Sequence, residues 1–256
     1  MTTPSAMAGV PDVTVADTVR WLQEEGLMRL AGVADRASET IAAYTIEVAT
    51  GTVNAHPATG SGGGGADVTS FAADDLPHPI GTAKRLVIVG VTTSHALLVV
   101  DLAATLTIAI NADRPAEAAR SWAIQLMLNP EITITTNSAD VAIGTSPRLR
   151  QSFIPGGGAT VLNVDDTRPP LTSVTLNATS DGTDYLDVGG DGTGEMYLGA
   201  SFWPLRHVMT IKDDAWSALA AQLEDPANDP AGAPHGSDSD HMYRSQPAER
   251  ISESSR

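Results

Sequence analysis

The chain has 256 residues, no cysteine and a formal net charge of −16. Without cysteine there is no disulfide framework, thiolate zinc site, iron–sulfur cluster or cysteine nucleophile. The acidic balance excludes a duplex-DNA binder and an anionic-membrane binder, which both need clustered Lys and Arg. Aromatic residues are only 4% of the chain, so the core must come mainly from Ala, Val, Ile and Leu.

The first thirty residues lack a basic start followed by an apolar stretch, so a cytoplasmic chain is expected. Residues 1–13 are small and polar and read as a disordered N-terminus. Thr14 opens a helical pattern with Asp17 three residues on, a relative of the capping box. Val15, Val19, Leu22, Leu30, Val33, Ala37, Ile41, Tyr44 and Val48 recur at spacings of three, four and, once, eight. The spacing predicts an amphipathic helical segment over 14–50, broken near Gly26 or Gly32. An apolar stripe of that length must be covered, by the downstream domain, a protein partner or a copy of itself. Residues 51–81, with Ser61 and Gly62 to Gly65 followed by Pro77 and Pro79, read as a flexible linker that tethers this segment.

Residues 82–224 are the predicted core domain, α/β or α+β, with a mixed sheet. Residues 86–110 are apolar enough to suggest a membrane span. Thr92 to His95 and Asp101 interrupt them, and their β-branched content favours buried strands. Arg85–Val91 and Ala96–Val100 are therefore read as a hairpin, and Thr105–Ile110 as a third strand. Pro115 opens a helix running to Leu128, stopped by Asn129-Pro130, and Glu131–Thr136 follows as a strand. Strand, helix, strand within this span is a βαβ unit with parallel strands. Ala159–Val164, Leu171–Leu176, Tyr185–Val188 and Glu195–Leu198 read as strands, the last two joined by a glycine-rich turn. A strand near His207–Ile211 leads to a helix with Asp213 as N-cap and Trp216, Leu219, Ala220 and Leu223 on one face. Residues 225–256 read as a disordered acidic tail.

The loop at 111–120 is where a nucleotide-binding βαβ unit would cradle phosphate. Here Asn111 to Pro115 offers neither glycine nor lysine, and Asp113 repels phosphate; Arg114 and Arg120 are the only compensating charges. Asp187 to Glu195 resembles a calcium loop but has Gly189 and Leu198 where oxygen ligands are required, so a hairpin turn is expected. Ile154 to Gly158 reads as a plain loop. The six histidines, at 56, 78, 95, 207, 235 and 241, have no metal-ligand spacing, and the first two and last two fall in segments read as linker or tail. No Ser sits in a nucleophile elbow. Turn or cap roles account for Asp165-Asp166 and Asp213-Asp214. Asn177-Ala178-Thr179 fits a glycosylation acceptor by chance. No catalytic residue, metal site or cofactor is assigned.

The hairpin, the phrase Val99-Val100-Asp101-Leu102-Ala103-Ala104, the strand Leu106–Ile110 and the Ala/Arg-rich helix resemble one family over residues 85–140. It comprises actinobacterial secretion- or envelope-associated proteins with a degenerate ATPase-like βαβ region, found beside LysM or transcriptional-activator repeats. The resemblance implies a scaffold that has lost nucleotide chemistry. The expected function is a non-catalytic protein-interaction or assembly module, an accessory component of a secretion apparatus or large particle, associating through residues 14–50. Two alternatives stay open: a nucleotide- or small-ligand-binding enzyme using 111–120, and a structural subunit of an oligomeric particle.

Overall fold

The computed structural model describes residues 13–58, 67–79, 81–144, 146–154, 159–166, 171–178 and 184–224. The predicted N-terminal disorder, apart from Val13, and the predicted tail lie outside these residues. The architecture is α+β, with strands in one mixed sheet of order β3-β2-β1-β5-β4-β13-β12-β11-β6-β10-β9-β7-β8.

The first helix is α1 (Val15–Trp21), a π turn (Leu22–Gly26) and α2 (Leu27–Arg36) in continuous succession. Thr14 caps it as the sequence suggested, its hydroxyl accepting from Asp17 N–H while the Asp17 carboxylate accepts from Thr14 N–H. The π turn coincides with Gly26, where a Cβ would lie 3.0 Å from Leu22 Cδ2 and from the Trp21 ring. Leu22, Leu27, Leu30, Ala31 and Val33 are buried.

The helical pattern does not continue to residue 50. After Arg36 the chain becomes β1 (Ile41–Glu47), an internal strand paired antiparallel with β2 (Val53–Pro57) and β5 (Ala96–Asp101). Ala42 and Ala43 join one core, while Ile41, Tyr44 and Ile46 join the other, beneath α1 and α2. A strand buried on both faces loses its two-residue alternation, and the spacing of Ile41, Tyr44 and Val48 imitates a helix. Tyr44 Oη donates to the Leu30 carbonyl at 3.0 Å, fixing α2 on β1. The predicted linker is likewise ordered where described. β2 buries Val53 and Ala55, and β3 (Thr69–Phe71) extends the sheet beside it. The Ser61–Gly65 run lies outside the described residues. Leu22, Leu30, Val33, Ile41 and Tyr44 of the 14–50 stripe are thus covered in cis, while Val15 and Ala37 are exposed.

β4 (Leu86–Thr92) and β5 explain the apolar run at 86–110. Val87, Val89, Leu98 and Val100 face one core, and Leu86, Ile88, Val91, Leu97 and Val99 face the other. Two-sided burial demands continuous hydrophobicity without a membrane. No helix among the described residues is long and apolar enough to cross one. At Gly90 a Cβ would sit 2.2 Å from the His207 carbonyl oxygen, so only glycine permits the approach of β13 (Ser201–Val208).

The crossover consists of β6 (Thr107–Ala112), α3 (Pro115–Met127) and β7 (Ile132–Thr136). β7 runs in the same sense as β6 but is not its neighbour. Between them lie β10 (Thr172–Leu176), parallel to β6, and β9 (Thr160–Asp166), antiparallel to both β10 and β7. β8 (Leu149–Gln151) closes that edge. On its other side β6 pairs parallel with β11 (Tyr185–Val188), which forms a hairpin with β12 (Gly194–Leu198). Trp122, Ala123 and Leu126 of α3 pack into the same core as β4, β6, β7 and β9 to β13. The Gln125 amide serves both Ile88 N–H (2.7 Å) and Ile88 C=O (3.0 Å) at the irregularity in β4. Arg85, at the start of β4, pairs with Asp166 at the end of β9 (2.8 and 3.1 Å) and donates to Thr172 Oγ1 (3.0 Å). The sheet therefore curls until strands far apart in its order meet. The last helix, α4 (Asp213–Glu224), buries Trp216, packs Leu219 and Ala220 on the core, and leaves Leu223 exposed.

Candidate functional site

β6 is flanked by two parallel partners, so the carboxyl ends of β6, β10 and β11 open at one edge. In open α/β sheets that crevice is where ligands are bound. Asn177, in a left-handed conformation (φ 49°) just after β10, clamps the end of β6. Its side-chain oxygen accepts from Ala112 N–H and its amide donates to Ala112 C=O, both at 2.9 Å. Asn111 Nδ2 donates to Asp187 Oδ1 at 2.8 Å, tying β6 to β11. Asn177, read as a chance glycosylation signal, is a structural clamp.

A cavity of about 370 Å³ lies between Asp113, Arg114 and Glu117 on one side and the turn Gly189–Gly192, His207 and Lys212 on the other. A second, of about 410 Å³, lies across Arg114 toward Arg120, Asp140, Asn177 and Asp213. The glycine-rich turn between β11 and β12 closes on itself. Gly189 N–H donates to Thr193 C=O (2.9 Å), Gly192 N–H to Gly189 C=O (3.0 Å), and Asp191 Oδ1 accepts from Thr193 N–H and Oγ1. The Thr193 hydroxyl and amide hold the Asp191 carboxyl below the usual carboxylate range. The turn is a hairpin, as expected from its departures from a calcium loop. Among the described residues no three His, Cys, Asp or Glu side chains gather as metal ligands.

Pro115 is the first helical residue of α3, and Arg114 is its N-cap position without a side-chain cap. Arg114 pairs with Glu117 at 2.8 Å and with Asp213. Arg120 Nη1 donates to Asp213 Oδ1 at 2.6 Å, Arg120 Nε donates to Asp140 C=O at 2.6 Å, and its guanidinium lies 5.6 Å over the Trp216 ring. The two arginines that could have held phosphate converge instead on the carboxylate of Asp213. The Arg120 hydrogen bond, with Arg114 alongside, keeps that carboxyl below the ordinary range. Asp213 is therefore the first residue of α4 and an ion-pair partner, rather than an N-cap. Asp214 beside it is exposed.

The other residues singled out from sequence are dispersed. Asp165 and Asp166 both lie in β9, where alternation exposes Asp165 and turns Asp166 to Arg85. His56 lies in β2, not a linker, 3.0 Å from Thr45 Oγ1 and edge-on to Trp203. Burial pushes its imidazole pKa down. His95 occupies the β4–β5 turn beside Arg206 at 2.9 Å. Ile154 is described and the rest of its loop, 155–158, is not. His235 and His241 lie outside the described residues.

Sequence reasoning missed two features. Asp101 is buried and its carboxyl is pushed up by desolvation, with Asp166 adding to the rise, while Ala103 N–H, Lys84 and Arg85 oppose it. The second is a row of rings on β11, β12 and β13, where Tyr185 stacks on Tyr197 (4.5 Å) and Tyr197 meets Phe202 at a tilt of 37° (4.7 Å). Period-two patterning with strand register could have found the row, since Tyr185, Tyr197 and Phe202 are directly opposed. A comparison with protein-family models finds no family that matches the chain, and searches of curated proteins and of solved structures find no match.

Proposed function

We propose that the chain is a non-catalytic protein-interaction or assembly module. The carrying observation is the placement of Asp213. Its carboxylate, supplied by α4, stands between Arg114 and Arg120 at the first turns of α3, where an α/β phosphate site would place an anion. The crossover works as an internal joint between α3 and α4, consistent with the proposed likeness to degenerate ATPase-like regions of secretion-associated proteins. We place the association surface elsewhere than on the 14–50 stripe, where Leu22, Leu30, Val33, Ile41 and Tyr44 are buried in cis. A thermal-shift series with the full chain, ATP, GTP and inorganic phosphate at millimolar concentration tests the reading. No rise in Tm is expected, together with recovery of a specific partner in cross-linked capture. A rise abolished by Arg114→Ala and Arg120→Ala would establish a nucleotide-handling protein instead.

A further inference from the structure

Among the described residues no helix packs on the outer face of β11, β12 and β13. Leu186, Met196, Leu198, Leu205 and Val208 of these strands point into the core that contains α3 and Trp216 of α4. The α1–α2 helix packs on β1, β2, β4 and β5. By strand alternation, Tyr185, Asp187, Glu195, Tyr197, Phe202 and Pro204 share the opposite face.

Two rungs cross that face. One is the ring row Tyr185–Tyr197–Phe202, with Phe202 47% exposed. The next is acidic: Asp187 stands directly opposite Glu195, which in turn faces Pro204. Opposed like charges cost a sheet stability. Their present partners, Asn111 Nδ2 on Asp187 and Tyr197 Oη on Glu195 (2.9 Å), are neutral donors. The acidic rung, with Asp187, Glu195 and Pro204, lines an open groove of about 700 Å³ running past Thr93 to Arg206, the one cation among the described residues along it, whose Nη1 lies 2.9 Å from His95 Nδ1.

Carboxylates beside aromatic rings form a surface suited to a guanidinium or ammonium group, which gains from both charge and ring quadrupole. The net charge of −16 favours approach of a basic partner over the longer range. We propose that this groove and the rings beside it dock an extended Lys- or Arg-bearing segment of a protein partner, its cationic head between Asp187 and Glu195 and its stem along Tyr197 and Phe202. The proposal rests on the interaction-module reading and names the surface and the chemistry of the partner.

The test is fluorescence anisotropy of the full chain with a labelled peptide of Arg-Gly repeats and a matched one of Glu-Gly repeats. The Arg-Gly peptide is expected to bind, more weakly as salt rises, and the Glu-Gly peptide not to bind. Glu195→Gln and Phe202→Ala, both at exposed positions, should each weaken binding by about threefold to tenfold with melting curves near wild type. Glu39→Gln removes one exposed acid far from these strands in sequence and should change nothing. Equal weakening by Glu39→Gln would reduce the effect to net charge and overturn the proposal. Absence of Arg-Gly binding, with the nucleotide series still flat, overturns the groove alone. A nucleotide-induced Tm rise lost in Arg114→Ala overturns the underlying reading and this proposal with it.

Discussion

Arg120 Nη1 donates to Asp213 Oδ1 at 2.6 Å, binding the first turn of α4 to the second turn of α3. The same guanidinium covers Trp216, so ion pair and ring hold α4 together. Trp216→Ala should lower stability by about 3–5 kcal/mol, because it empties a buried site. Urea denaturation followed by circular dichroism measures the loss, which should exceed that of Asp213→Asn, whose carboxylate is exposed.

Asp213 also sets a pH signature. Its folded pKa is depressed, so its contribution is present above the unfolded value and disappears as pH falls through the folded one. Asp213→Asn should therefore be less stable than wild type at pH 7 and converge with it below about pH 4. Parallel Tm–pH curves for the two proteins would reject this role.

Asp101 carries the opposite sign. Its folded pKa is raised, chiefly by desolvation, so the stability linked to its protonation is present below the unfolded pKa and lost as pH rises through the folded one. Asp101→Asn keeps an oxygen for Ala103 N–H, which now donates to Oδ1 at 2.9 Å. The variant should melt higher than wild type at pH 7, with the gain fading toward about pH 4. A Tm that falls at pH 7 would contradict the burial argument.

Arg85 and Asp166 close the curled sheet through a buried pair, with the Arg85 side chain 2% exposed. Removing one partner strands the other's charge, and Arg85→Ala should cost about 3–5 kcal/mol by urea denaturation. Arg85→Met with Asp166→Leu should recover much of it.

Much of this architecture is legible from sequence where one local rule dominates. Pro115 and Asn129-Pro130 bracket a helix observed over Pro115–Met127, and the hairpins at 86–101 and 185–198 fall where turn residues interrupt apolar runs. Reading fails where tertiary burial erases periodicity. Ile41 to Ile46 is buried on both faces, and Val53 and Ala55 are two short apolar residues in a stretch rich in glycine and proline. The βαβ reading found β6, α3 and β7 but not the insertion of β9 and β10 between them, which is a long-range pairing. In the candidate site, the poor phosphate loop was visible in Asn111 to Pro115. Its acidic occupant was not, because Asp213 follows Arg120 by 93 residues.

Isothermal titration of the full chain with ATP tests the filling of the anion position by Asp213 most directly. The account predicts no heat beyond dilution. Saturable heat that vanishes in the Arg114→Ala, Arg120→Ala double variant would contradict it.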